Sequence, residues 1–366
     1  MKKVLSILLI LVLALSALTG CGGSSTGNSS TEPELTVGFI YIGPITDGGY
    51  TQAQHAGTLA LEDYYKGKVK CIYAESVAEE KQDVKNAALN MIDQGAKVIV
   101  GTSFGFMDAM DEMAKEYPDI IFLHFSGNKM NDTNFGNYFG AMEEPRYLTG
   151  IIAGMTTKTN QIGYVAAFPY TELLIGINAF TLGAQSVNPD ISVSVVYTNS
   201  WNDPANEKAA AEALLTQGCD IIAQHCDSSG PQLAAQDAGA FAIGYNVDNS
   251  AVAPGSFLTA PIWHHEVYLI PTIQTILDGT YKPESYYGTM ADGYIGLAPM
   301  TDLVSAEAKA KVEEVQAQMA AGTFSVFVGP IYDNQGNEVV AAGQTLDRAG
   351  IWSTNYLVKG ATGRDN

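Results

Sequence analysis

Residues Leu35–Tyr50 read LTVGFIYIGPITDGGY, and the fold follows from that stretch. The apolar run over 35–42 is short, and its uninterrupted hydrophobicity suits a strand buried on both faces of a parallel sheet. Gly43-Pro44 and Asp47-Gly48-Gly49 then supply turn residues before a helical pattern begins. The same unit recurs with runs at 69–74 (VKCIYA), 96–100 (AKVIV) and 119–125 (DIIFLHF), and amphipathic helices fit between them. One such helix is predicted to open at Ser76 with Glu79 in a capping box. It carries Val84, Ala88, Met91 and Ile92 on one face and stops near Gly95. After Gly140 the cycle restarts with runs at 161–167, 191–197, 220–225 and 241–245. Its clearest helix begins with Asp203 as N-cap and Pro204 in the first turn. Two βαβα series predict an α/β protein with two doubly wound parallel-sheet lobes.

Composition narrows the function. The 366 residues carry 19 Lys+Arg against 39 Asp+Glu, a formal charge of −20, so a polyanion such as nucleic acid is a poor partner. Arg146, Arg348 and Arg364 are the whole arginine supply, which argues against a phosphorylated ligand. Lys2 and Lys3 precede an apolar stretch from Val4 to Leu15, broken only by Ser6, and then Leu18-Thr19-Gly20-Cys21. This reads as a secretory leader over 1–20, and the tetrapeptide resembles a bacterial lipobox with Cys21 as the lipidated residue. Residues 21–34 read as a flexible tether reaching roughly 20 Å, which puts the folded part on the extracytoplasmic face of the cell membrane. If residues 220–225 form a strand, Cys219 and Cys226 stand about 23 Å apart, beyond disulfide reach. Free thiols are expected, with a bond from Cys71 to either left open.

Ligands of such sheets bind beyond the carboxyl ends of the strands. The residues that follow each run are therefore candidates: Asp47, Tyr50, Thr51 and Gln52, then Ser103 and Phe104, then Ser126. In the second series they are Phe168, Trp201, Asp227 and Asp248, with Trp263 ending a further apolar run. Facing lobes would set flat rings and carboxylates along a common cleft, suited to a planar ligand that offers hydrogen-bond donors. Competing roles exist for several. Asp47 lies in a turn dipeptide, Trp201 can staple the next helix, and Asp203, Asp227 and Asp248 can cap one.

Several segments are similar to the basic membrane protein (BMP) family. They are Ile40–Tyr50, Trp201-Asn202-Asp203-Pro204 with Glu207, Gln217–Ile222, Gln224–Ser228 and Gly244–Asp248. The resemblance covers roughly 35–325 and implies a type I periplasmic-binding-protein fold serving as the substrate-binding lipoprotein of an ABC importer. Members bind purine nucleosides or related purines, and some bind other small molecules such as riboflavin. It further implies that Tyr50 and Trp201 stack on the base, that Asp47 belongs to the binding motif, with Thr51 and Gln52 replacing Asn-Gln, and that Asp248 holds a ribose. Ser126 stands where the family has an aspartate, and Trp263 where it has a lysine. Loss of that carboxylate and ammonium favours a free purine base or another flat neutral molecule.

The resulting expectation is a monomeric receptor with a small-molecule ligand, an ABC permease as partner, a lipid anchor, and no cofactor or metal. The first lobe is expected at 35–141 plus about 264–284, and the second at 142–263 plus about 285–330. Residues 331–366 form an extension of unassigned lobe. A receptor for a sugar or polyol and a ligand-sensing lipoprotein are alternatives. A serine hydrolase is a remote one, because Gly101-Thr102-Ser103-Phe104-Gly105 fits G-x-S-x-G and Ser103, Asp227 and His264 fall in triad order. Metal binding is weaker still. Residues 225–227 alternate faces, and His264-His265 lack the spacing that aligns two imidazoles.

Overall fold

The computed structural model describes residues 32–365, so Cys21, the leader and all but the end of the tether lie outside the described residues. The first lobe runs β1 (Leu35–Ile40), α1 (Tyr50–Tyr65), β2 (Val69–Ala74), α2 (Lys81–Asp93), β3 (Val98–Gly101), α3 (Met107–Glu116), β4 (Ile121–Phe125) and β5 (Phe135–Gly140). Val98, Ile99 and Val100 are fully buried, as a strand covered by helices on both faces requires. The chain then forms α4 (Glu143–Thr156), β6 (Gln161–Ala166), α5 (Thr171–Val187), β7 (Ser192–Tyr197), α6 (Pro204–Thr216), β8 (Ile221–His225), α7 (Gly230–Asp237), β9 (Phe241–Ile243) and β10 (Phe257–Thr259). It returns through β11 (Pro261–Trp263), α8 (Glu266–Leu277), β12 (Ser285–Gly288), β13 (Ile295–Leu297) and α9 (Ala306–Ala320). The tail adds β14 (Ile331–Tyr332), β15 (Glu338–Val340), α10 (Arg348–Trp352) and β16 (Ala361–Asp365).

The two sheets are built alike. One has the order β2-β1-β3-β4-β5-β12 and the other β16-β7-β6-β8-β9-β10, with every neighbouring pair parallel. In both, the first strand of the series sits between the second and third, so the strand order reverses there and opens a crevice at the carboxyl ends. The connections between lobes follow β5, pass through β11, and return through β13, which pairs antiparallel with β11. The return expected near 284 comes later, because Ser285–Gly288 pairs with Asn137–Gly140 at the edge of the first sheet. The tail joins the second lobe: β16 pairs with β7, and Phe327, Ile331, Val340 and Val358 pack with Ile175 and Ala179 of α5.

Local signals met mixed outcomes. Asp203 caps α6, its side chain accepting from Asn206 N at 3.1 Å, with Pro204 in the first turn. The capping box expected at Ser76 and Glu79 does not form. Helix α2 starts later, at Lys81, and Ser76 takes a left-handed φ of 55° that ends β2. Cys71, Cys219 and Cys226 are free thiols. No helix among the described residues is long and apolar enough to cross a membrane.

Candidate ligand-binding site

The carboxyl ends of both sheets meet around a cavity lined by Ile42, Tyr50, Glu79, Ser103, Phe104 and Ser126 from the first lobe and by Glu172, Trp201, His225, Asp227 and Tyr245 from the second. Each ends or follows a strand or lies near the start of the next helix. The strands end abruptly because Ser76, Ser126, Asn199 and Asn246 adopt left-handed backbone at φ 55°, 73°, 55° and 69°, turning the chain across the sheet edge.

Ring placement is fixed by neighbours. The Tyr50 hydroxyl donates to Thr102 O, and its ring lies 5.9 Å from that of Phe125. Trp201 is braced from behind by Phe168, edge-on at 5.4 Å, and Phe168 is stacked in turn on Tyr170 at 4.9 Å. Tyr245 covers the fully buried Arg146, whose guanidinium carbon sits 3.8 Å from the ring centroid and whose Nη1 donates to Gln224 O at 2.7 Å.

The polar lining consists largely of carboxylates. Glu79 Oε1 accepts from Ser103 Oγ at 2.5 Å and from Gly105 N at 3.0 Å. Asp227 is buried and accepts from Asn246 Nδ2 at 3.4 Å. Burial, reinforced by the acids Asp47, Glu207 and Glu172, pushes its carboxyl well above the usual range. Burial also pushes Glu172 up to about 7, with Arg146 pulling the other way. His225 Nε2 stands 3.7 Å from Glu172 Oε1, and burial beside Arg146 pushes the imidazole well below its ordinary value, so it is neutral. The lining is rich in carboxyl oxygens that can accept, so the cavity suits a ring that brings its own N–H groups.

Six of the residues expected from sequence line this cavity: Tyr50, Ser103, Phe104, Ser126, Trp201 and Asp227. The other six are placed around it. Asp47 caps α1, its carboxylate accepting from Gly49, Thr51 and Gln52 N–H groups at 2.9, 2.7 and 3.0 Å. Thr51 is buried within that cap, Gln52 is exposed, and Phe168 supports Trp201. Asp248 is exposed and accepts from Ser250 N at 2.9 Å. Trp263 is a buried hinge residue, donating to Asn246 Oδ1 at 3.1 Å and stacked on His265. The hydrolase arrangement is not assembled: Ser103 Oγ is held by Glu79, while His264 lies outside the cavity beside Glu266, 3.4 Å away.

Sequence reasoning missed Ile42, Glu79, Glu172, His225 and Tyr245 as lining residues. Glu79 had a competing role as a helix cap, and Glu172 reads as an ordinary first-turn acid. His225 and Tyr245 end apolar runs, a position that signals the cleft as strongly as the residues just beyond it.

Two parallel-sheet lobes hinged around such a cavity are the architecture shared with solved solute-binding proteins. Residues 34–326 match the Bmp family, described as ABC transporter substrate-binding protein PnrA-like, and the chain belongs to it. A purine-binding protein of Brucella abortus (strain 2308) is 38% identical over 334 residues, spanning 91% of this chain and 95% of its own length. A Haloferax volcanii protein provisionally assigned as an ABC transporter glucose-binding protein is 34% identical over 336 residues, spanning 88% and 85%. The solved ABC solute-binding protein of Aeropyrum pernix K1 shares the fold with a TM-score of 0.70 at 17% identity, over 81% of this chain and 94% of its own.

Proposed function

We propose that this protein captures a neutral purine, as the free base in preference to the nucleoside, and presents it to an ABC permease from an extracytoplasmic position anchored through Cys21. The observation that carries the reading is the convergence of Tyr50 and Phe104 from one lobe with Trp201 and Tyr245 from the other on a cavity edged by Glu79, Glu172 and Asp227. Rings stack on a flat heterocycle for roughly 1–3 kcal/mol each. The carboxyl groups accept its ring and exocyclic N–H donors for about 1.5–3 kcal/mol apiece. After association costs this is compatible with micromolar affinity or better. The purine-binding Brucella relative supports the same ligand class. Preference for the base rests on Asp248, the residue the resemblance assigns to a ribose, which is exposed and bonded within its own turn, and on Trp263, which stands where the family has a lysine and is sealed into the hinge. The mechanism is closure, not chemistry, since each lobe contributes half of the site and binding shifts the open–closed population.

Thermal-shift measurement of residues 34–366 against bases, nucleosides, nucleotides and sugars tests this. Bases are expected to stabilise by about 2.7 kcal/mol at a hundredfold excess over Kd, and nucleotides to give no shift. Stabilisation by glucose alone would favour the sugar reading that the Haloferax relative suggests.

A further inference from the structure

The family match ends at residue 326, yet the chain continues as an ordered tail that touches both lobes. Its anchor is on the second lobe: β16 extends the sheet beside β7, and the Asn178 side chain of α5 donates to Tyr356 O at 2.8 Å and accepts from Val358 N at 2.9 Å. Its far end is on the first lobe. Trp352 sets its ring edge-on to Phe139 of β5 at 5.4 Å, and Arg348 lies over the Tyr287 ring of β12 at 4.3 Å. The Arg348 Nη1 and Nη2 groups donate to Ser285 O and Oγ at 3.4 and 3.3 Å. The tail thus spans the interlobe gap beside the three chain crossings. Trp352 also walls a small chamber that shares Glu172 and His225 with the ligand cavity.

We infer that this tail is a strap in which Trp352 and Arg348 hold the lobes closed and set the rate of ligand release. The contacts join a helix carried by one lobe to the sheet edge of the other, so rotation of the lobes must shear or break them. A covalent crossing bends, whereas these contacts favour one geometry, and a contact made only in the closed state shifts the population toward it. The inference rests on lobe closure and not on the identity of the ligand.

The test uses residues 34–366, one compact unit. Trp352→Ala and Arg348→Ala are compared with wild type by small-angle scattering of the ligand-free protein and by stopped-flow release of adenine. Both variants are expected to show a larger radius of gyration, and release is expected to quicken about tenfold for Trp352→Ala and about threefold for Arg348→Ala. Trp352→Phe, which keeps an aromatic edge on Phe139, is expected to restore slow release. Unchanged scattering and release in both alanine variants would overturn the inference, as would a lowered melting temperature with neither property altered. Arg348 is exposed, so its truncation leaves a folded protein even if Trp352→Ala does not fold. Should adenine fail to bind wild type, the purine reading is at fault and the scattering comparison alone decides the strap.

Discussion

Gly49→Ala is the sharpest probe of closure, because it adds a single carbon where the lobes touch. Gly49 precedes α1 in the first lobe, and a Cβ there would lie 2.3 Å from Asp227 O and 3.0 Å from Asp227 C and Cα in the second. These are backbone atoms, which cannot rotate aside as a flexible side chain does. Bringing the carbon to ordinary contact requires the two lobes to separate by about an ångström, which pulls Asp227 and Trp201 from their places opposite Tyr50. Overpacking of this kind costs about 1–3 kcal/mol, here levied on the closed state alone, and corresponds to roughly 5- to 150-fold weaker binding. The interlobe hydrogen bond from Asn249 Nδ2 to Gly48 O, 2.9 Å long, is expected to be lost with it. Calorimetric titration of the stabilising base from the thermal-shift screen, together with scattering of the ligand-free protein, measures both effects. Wild-type affinity and wild-type dimensions in Gly49→Ala would refute the claim that the site is completed by lobe contact at this point.

Trp201→Ala removes one stacking wall, and calorimetric affinity for the same base is expected to fall by about 1–3 kcal/mol with a small change in melting temperature. Ser103→Ala takes a donor from Glu79 but leaves Gly105 N on the same oxygen; affinity is expected to stay within about fivefold, whereas a hydrolase built on Ser103 would lose all turnover in an ester assay. Glu143 is pushed from 4.5 up to about 7 by burial, against the pull of its own backbone N–H, the Tyr287 hydroxyl and Arg348, with Glu144 adding to the rise. Its contribution to stability is therefore full below the unfolded value and is lost as pH rises through about 7. Urea unfolding should show stability falling between pH 5 and pH 8 by up to about 3 kcal/mol from this group, and Glu143→Gln should flatten that slope.

Much of the architecture was legible because buried parallel strands are continuous apolar runs, and the eight runs read from sequence all became strands. Those with a different pattern were missed. Strand β5 (Phe135–Gly140, FGNYFG) interleaves glycine and asparagine with its rings, and it is tolerated in the sheet because all six residues are buried between β4 and β12. Strand β16 (Ala361–Asp365, ATGRD) has no apolar run at all and gains its place by pairing with β7. The same limit applies to the site. Tyr50, Phe104 and Trp201 stand out as rings just past strand ends, but a single sequence cannot separate a carboxylate that lines a cavity from one that caps a helix. Asp47 went to the start of α1 and Asp248 to a turn of its own, whereas Glu79, which had the look of a cap, took the cavity. The difference lies in which direction the chain leaves its strand, and at Ser76 a left-handed residue sets that direction.

Charge supports the proposal that the site takes a neutral ligand. The protein carries −20 overall, and Glu79, Glu172 and Asp227 face the cavity. The nearby cation Arg146 is not among the lining residues; its Nη1 donates to Gln224 O and its plane lies against Tyr245, while its buried Nε and Nη2 lack hydrogen-bond partners among the described residues, so it acts on the carboxyls through the protein. An anionic group entering on closure would lose its water and find no Lys or Arg among the described residues that line the cavity to offset that loss. A neutral ring with N–H donors gains from that same environment, because the carboxyl groups that burial holds partly protonated can ionise as they accept its hydrogen bonds. Ligand binding should then release protons near neutral pH. Titrating one base in buffers of different ionisation enthalpy should give apparent heats that vary with the buffer, and buffer-independent heats would show that the acids are already ionised in the empty cleft.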